Sequence, residues 1–391
     1  MGLKASLARL AARRLHVLLL EVPGAAAVRW AAEDEVLRRG WVFAGSVADA
    51  DLLLVCGNAD SALAELAEST TTLMPRPAGR EDAAEPAEVV DALDRAAAQW
   101  CRDGLRAQGQ EPSSPSTSDP SSDPEDKPPG EHDQHDMHDM HDMHSQHEHM
   151  HGMDMTGPGG LPLASGASDR DGLEMDVLHV PLGPVLPAWP AGLLLTCTLA
   201  GDVVTGVGVQ VLAPMADVVA APPGGAVRAD LVAGALQLAG REDLAARARR
   251  ARGLLLAGQV PAANGEWARV HSAVRRSRML RWSLRGVGVL DPVLLADHRL
   301  PENLVGDVGD RLDAMLSDRL NGGADAGDGT GARWPGSAAA GWRSRLLGLL
   351  PALVTGQEVA AVRLLLAGLP LDVRAGLEVV RETAPEAATG G

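Results

Sequence analysis

With 391 residues, 46% of them apolar, the chain is long enough for two hydrophobic cores, and two domains are the default expectation. A formal net charge of −17 argues against nucleic-acid binding, which needs a basic face for phosphate. Three widely spaced cysteines, Cys56, Cys101 and Cys197, follow neither a disulfide framework nor a ligand pattern, which fits a reducing cytoplasm.

The opening MGLKAS fits the N-myristoylation pattern formally, but so short a match arises often by chance. Residues 3–15 read as a short basic amphipathic helix. The LHVLLL that follows is too short for a signal peptide and lacks a clean small-residue cleavage site. No run approaches ~20 apolar residues, so no membrane span is predicted.

HVLLLEV (16–22) is a continuous apolar run of the kind that forms a buried parallel strand. Pro23-Gly24 turns the chain into a helical pattern over 30–39. A second short strand is predicted at 41–44 and a third at 51–56 (DLLLVC), closed by Gly57-Asn58. Helices are expected at 61–69 and 85–105. This alternation predicts a small doubly wound parallel-sheet α/β domain over residues 1–105. Such sheets bind ligands at the carboxyl ends of their strands, here Pro23 to Ala27 and Gly57 to Asp60. Neither segment is a GxGxxG or Walker A loop.

Residues 106–130 are rich in Pro, Ser, Asp and Glu, and predict a disordered linker that runs on to residue 170. Within it, residues 131–155 hold eight of the twelve histidines, His132, His135, His138, His141, His144, His147, His149 and His151. They also hold six of the twelve methionines, Met137, Met140, Met143, Met150, Met153 and Met155. Imidazole suits Cu, Ni and Zn, and thioether sulfur selects Cu(I), so this tract is the candidate metal site. A hydrophilic spacer is the alternative reading of the same composition. A tether of this length lets the flanking domains lie far apart.

Residues 171–391 form the second predicted domain. Residues 193–199 and 203–211 read as a β-hairpin turning at Ala200-Gly201-Asp202. Helical spacing of apolar residues follows over 229–257, 267–285, 302–320, 342–369 and 371–380, with a Gly/Asp/Ala loop at 321–337. The fold class expected is therefore α/β plus α+β: the parallel-sheet domain, the linker, then a hairpin with a mainly helical domain.

Several segments resemble known redox subunits. LLLEVPGAAAVRW, GWVFAGSVADADLLLVCG and MPRP (74–77) resemble the iron–sulfur small subunit shared by complex I (NADH-quinone oxidoreductase) and membrane-bound nickel–iron hydrogenases. LGPVLPAWPAGLLLTCTLAGDVVTGVGVQVL (182–212) resembles the amino-terminal hairpin of their large subunit. In that family a cysteine loop follows the first strand; this chain carries Ala25 to Val28 there. A four-thiolate cluster lacks its ligands, since only Cys56 and Cys101 occur in this part. Leu186 stands where complex I carries a histidine associated with the quinone headgroup. Nickel–iron sites need two Cys-x-x-Cys pairs, and the second domain has Cys197 alone. His271 with Arg275, Arg276 and Arg278 either faces a carboxylate or quinone pocket or forms a solvated basic face.

The chain lacks GxSxG, HExxH and any Cys beside a plausible His base, and His16, His179 and His298 are isolated. The resemblance therefore implies a non-catalytic accessory or assembly subunit, with no cofactor in the folded domains. Its partners would be membrane-bound redox subunits, and its location the cytoplasm, peripheral to the inner face of the membrane. It also requires the two domains to dock directly. The alternatives are a copper, nickel or zinc buffering or chaperone protein acting through the tract, and a quinone-linked oxidoreductase subunit.

Overall fold

A computed structural model of the chain describes residues 14–107, 165–168, 174–212, 223–320 and 341–371. The predicted helix over 3–15, the linker with its whole His/Met tract, the loop at 321–337 and all but the first residue of 371–380 lie outside the described residues, apart from the strand at 165–168 and the few residues of 14–15 and 106–107.

The first folded part is built on four parallel strands. They are β1 (His16–Glu21), β2 (Val42–Phe43), β3 (Leu52–Cys56) and β4 (Gly79–Ala83), in the order β2-β1-β3-β4. β1 and β3 are central; β3 is apolar throughout and β1 from Val17 to Leu20, because each is covered on both faces. On one face, α1 (Ala26–Arg38) and α3 (Val89–Ala107) pack Val28, Ala32, Val36, Val89 and Leu93 against Val17, Leu52 and Leu54. On the other, α2 (Ser61–Leu73) packs Leu63 and Ala67 against Leu18, Leu20, Leu53 and Val55. Asp60 caps α2 by accepting from the Leu63 N–H at 3.0 Å.

The second part is a sheet backed by helices. β5 (Ser165–Ser168), β6 (Glu174–Leu182), β7 (Leu193–Ala200) and β8 (Val203–Val211) form an antiparallel meander in sequence order. The expected hairpin is β7–β8, and β7 alternates so that Leu193, Leu195, Cys197 and Leu199 face the core. Behind it lie α4 (Gly224–Leu238), α5 (Glu242–Leu256), α6 (Val260–Arg276), α7 (Arg278–Ser283), α8 (Pro292–Asp297), α9 (Val308–Ser317), α10 (Gly341–Val354) and α11 (Val359–Ala367). Three long predicted helices are each divided. The 229–257 pattern breaks at Gly240 (φ 71°), 267–285 at Ser277, and 342–369 at Gly356 (φ 82°). The 302–320 pattern contains only α9 and a single short turn before it.

The two parts touch directly. Val185, from the loop between β6 and β7, belongs to the same apolar cluster as Leu18, Leu20 and Val22 of the first part. A Cβ at Gly192 would meet Pro23 Cγ at 2.5 Å, so the close approach of these two loops requires glycine there. The overall architecture is a four-stranded parallel sheet with its helices joined to a mainly helical unit carrying its own antiparallel sheet.

Candidate functional site between the two folded parts

The seam between the parts encloses a cavity of about 270 Å³. One wall comes from the carboxyl end of β1 and the turn after it, with Glu21, Pro23, Gly24 and Ala26. Val22 anchors this turn, its N–H donating to the Cys56 carbonyl at 2.9 Å. Gly57 closes the packing beneath: at φ 108° a Cβ would lie 2.5 Å from the Ala25 Cβ. Of the two strand ends expected to bind a ligand, the first lines the cavity, and Gly57 to Asp60 do not.

The roof is the loop from Gly183 to Gly192. It contributes Leu186, Pro187, Ala188 and Trp189. Trp189 is buried, and its Nε1 donates to the Leu193 carbonyl at 2.7 Å. A Cβ on Gly183 (φ 87°) would fall 2.0 Å from that Nε1, so the indole occupies the space any side chain would need. Arg363 of α11 donates to the Pro187 carbonyl at 3.3 Å and ties the roof to the helices.

The far wall carries charge. Arg29 on α1 donates to three carboxylates at once: Glu21 of β1, Glu33 one turn further along α1, and Asp230 of α4. Arg252 of α5 repeats the bridge, reaching Asp230 at 2.5 Å and Glu33 at 2.7 Å. Arg249, one turn earlier on α5, lies 3.6 Å from Glu33 and donates to Gln237. Arg252 also lies 5.1 Å from the Trp30 ring centre and Arg249 5.6 Å from that of Phe43. Three carboxylates and three guanidiniums are thus held together at the seam.

Burial sets the protonation of this group. Burial raises the Glu21 carboxyl above its ordinary range, and Arg29 offsets this only in part. Burial opposes ionisation of Glu33 and Asp230 as well, but Arg29 and Arg252 outweigh it and lower both. Arg29 is desolvated too, yet Asp230, Glu21 and Glu33 hold its proton more firmly than usual. The cavity is therefore bordered by apolar groups and by a network of paired charges in which burial makes Glu21 the carboxyl that gives up its proton least readily.

Sequence reasoning did not find this network; its members look like ordinary surface charges. The one available signal was the lone Glu21 at the end of an apolar strand. Leu186, picked out by resemblance, does line the cavity, as does Ala26 of the cysteine-loop counterpart. The His/Met tract lies outside the described residues. His271 and the arginines after it do not line the cavity; His271 Nε2 sits 3.5 Å from Asp313. His16 pairs with Asp49 at 2.9 Å, and His179 lies 3.1 Å from the Thr198 hydroxyl. Both Cys56 and Cys197 are buried free thiols; burial pushes each up, Cys197 to about 11. Among the described residues, no group of three or more His, Cys, Asp or Glu is placed to hold a metal ion. No described helix is long and apolar enough to cross a membrane. No family model matches the chain, and neither a curated protein nor a solved structure does.

Proposed function

We propose that the protein is an accessory or assembly subunit related to the complex I and nickel–iron hydrogenase family, in which small-subunit-like and large-subunit-like parts are fused and no reaction is catalysed. One observation carries this reading. Ala26, from the segment that replaces the family's cysteine loop, and Leu186, at the family's quinone-histidine position, border the same cavity between the two parts. The two resembling segments, about 160 positions apart in sequence, thus meet at one place. The cavity wall offers charge-paired side chains in place of thiolates, and a cluster needs four thiolates as a rule.

The test is affinity isolation of the full chain from detergent-solubilised membranes of its native host, with iron and sulfide analysis of the purified protein. Membrane-bound redox subunits recovered in fixed stoichiometry, with no iron or sulfide on the chain, are the expected result. Stoichiometric iron and sulfide on the chain would overturn the non-catalytic reading. The regular His-x-x spacing favours a second role for the tract, binding Cu, Ni or Zn on the linker.

A further inference from the structure

Residues 275–293 carry five arginines and one acidic residue in a chain that is acidic overall. Arg275, Arg276, Arg278, Arg281 and Arg285 are all exposed, and no Asp or Glu occurs between Glu266 and Asp291. Arg276 bonds the Ser272 hydroxyl, and none of the five is ion-paired among the described residues. Across the fold, Asp307 is engaged by the Gly286 and Asp310 N–H groups, and Asp313 lies 3.5 Å from His271.

The same stretch exposes large apolar side chains. Met279 is 73% and Trp282 72% accessible, and Val289 and Val293 are exposed as well. α7 explains the arrangement. Leu280 and Leu284 are buried beneath it. At roughly 100° per residue, Trp282 then stands on the opposite side of the helix, with Arg278 beside it on one side, Met279 on the other and Arg281 further round. A Trp at the outermost point, with arginines on the same exposed stretch, suits a surface that is anionic outside and apolar just below. A nucleic-acid backbone would meet the arginines but offers no apolar layer for Met279, Val289 and Val293.

We infer that this face docks on an anionic lipid bilayer, with Trp282 and Met279 entering the headgroup region and the five arginines meeting lipid phosphates. The inference rests on this surface alone and stands or falls apart from the family reading. The test is co-sedimentation of the full-length protein with phosphatidylglycerol-containing vesicles and with pure phosphatidylcholine vesicles. Two variants, Met279→Ser with Trp282→Ser and Arg278→Gln with Arg281→Gln and Arg285→Gln, are compared at equal circular dichroism. The protein is expected to bind the anionic vesicles only, more weakly as salt rises, and each variant to lose at least tenfold in affinity (about 1.4 kcal/mol). Absent binding, or binding that both variants retain, would overturn the inference. So would arginine-dependent binding to a short DNA duplex without binding to vesicles.

Discussion

Arg29 ties the seam, since it contacts a strand, its own helix and the second folded part at once. Replacing it would leave three carboxylates facing one another with only Arg252 and Arg249 to balance them. Removing one partner of a buried ionic network costs about 3–5 kcal/mol. Arg29→Met is expected to lose stability of that order in urea denaturation, and a loss below about 1 kcal/mol would show the network to be incidental. Glu21 behaves differently. Its carboxyl is raised, so the folded state holds that proton more tightly than the unfolded chain. The stability it contributes is complete below the ordinary carboxylate range and is lost as pH rises through the raised value. Glu33 and Asp230 are lowered, so their contribution is present above that range and is lost as pH falls. Glu21→Gln should therefore gain stability relative to the parent as pH rises from mildly acidic to neutral, read as thermal midpoint against pH. A difference that does not vary with pH would contradict a raised Glu21.

Particular elements show why some were legible and others not. β1 and β3 announce themselves because a strand covered on both faces carries an unbroken apolar run, and β7 because a strand covered on one face alternates. β4 (GREDA) gave no such signal: it lies at the sheet edge, and only Ala83 is buried. The breaks between α4 and α5, α6 and α7, and α10 and α11 were hidden because apolar periodicity continues across each turn. The roof loop carries no periodic signal. Its shape depends on Gly183 and Trp189, which meet by a contact no local pattern encodes. Gly183→Ala is expected to cost about 2–3 kcal/mol from positive φ and displaced indole together. A thermal shift of less than a degree would show that the loop relaxes freely.

At the scale of the whole molecule, the docked halves and the tract between them are separable. Deleting residues 131–155 should leave the unfolding transition unchanged, because Arg29, Arg252, Glu33 and Asp230 join the seam among the described residues. Isothermal titration with Cu(I), Cu(II), Ni(II) and Zn(II) should find stoichiometric binding in the full chain and lose it on deletion. Binding equal in both proteins would leave the tract a spacer. The sequence by itself determined that two apolar, foldable segments flank a long polar one, since composition alone separates chain that buries a core from chain that stays hydrated. Only the tertiary structure decided that Arg29 and Asp230, 201 positions apart, form one buried network beside a cavity. A charged residue in sequence reads as solvent-facing until its partner is known, and here Arg29 finds Asp230, and Arg252 finds Glu33, in the other half of the molecule.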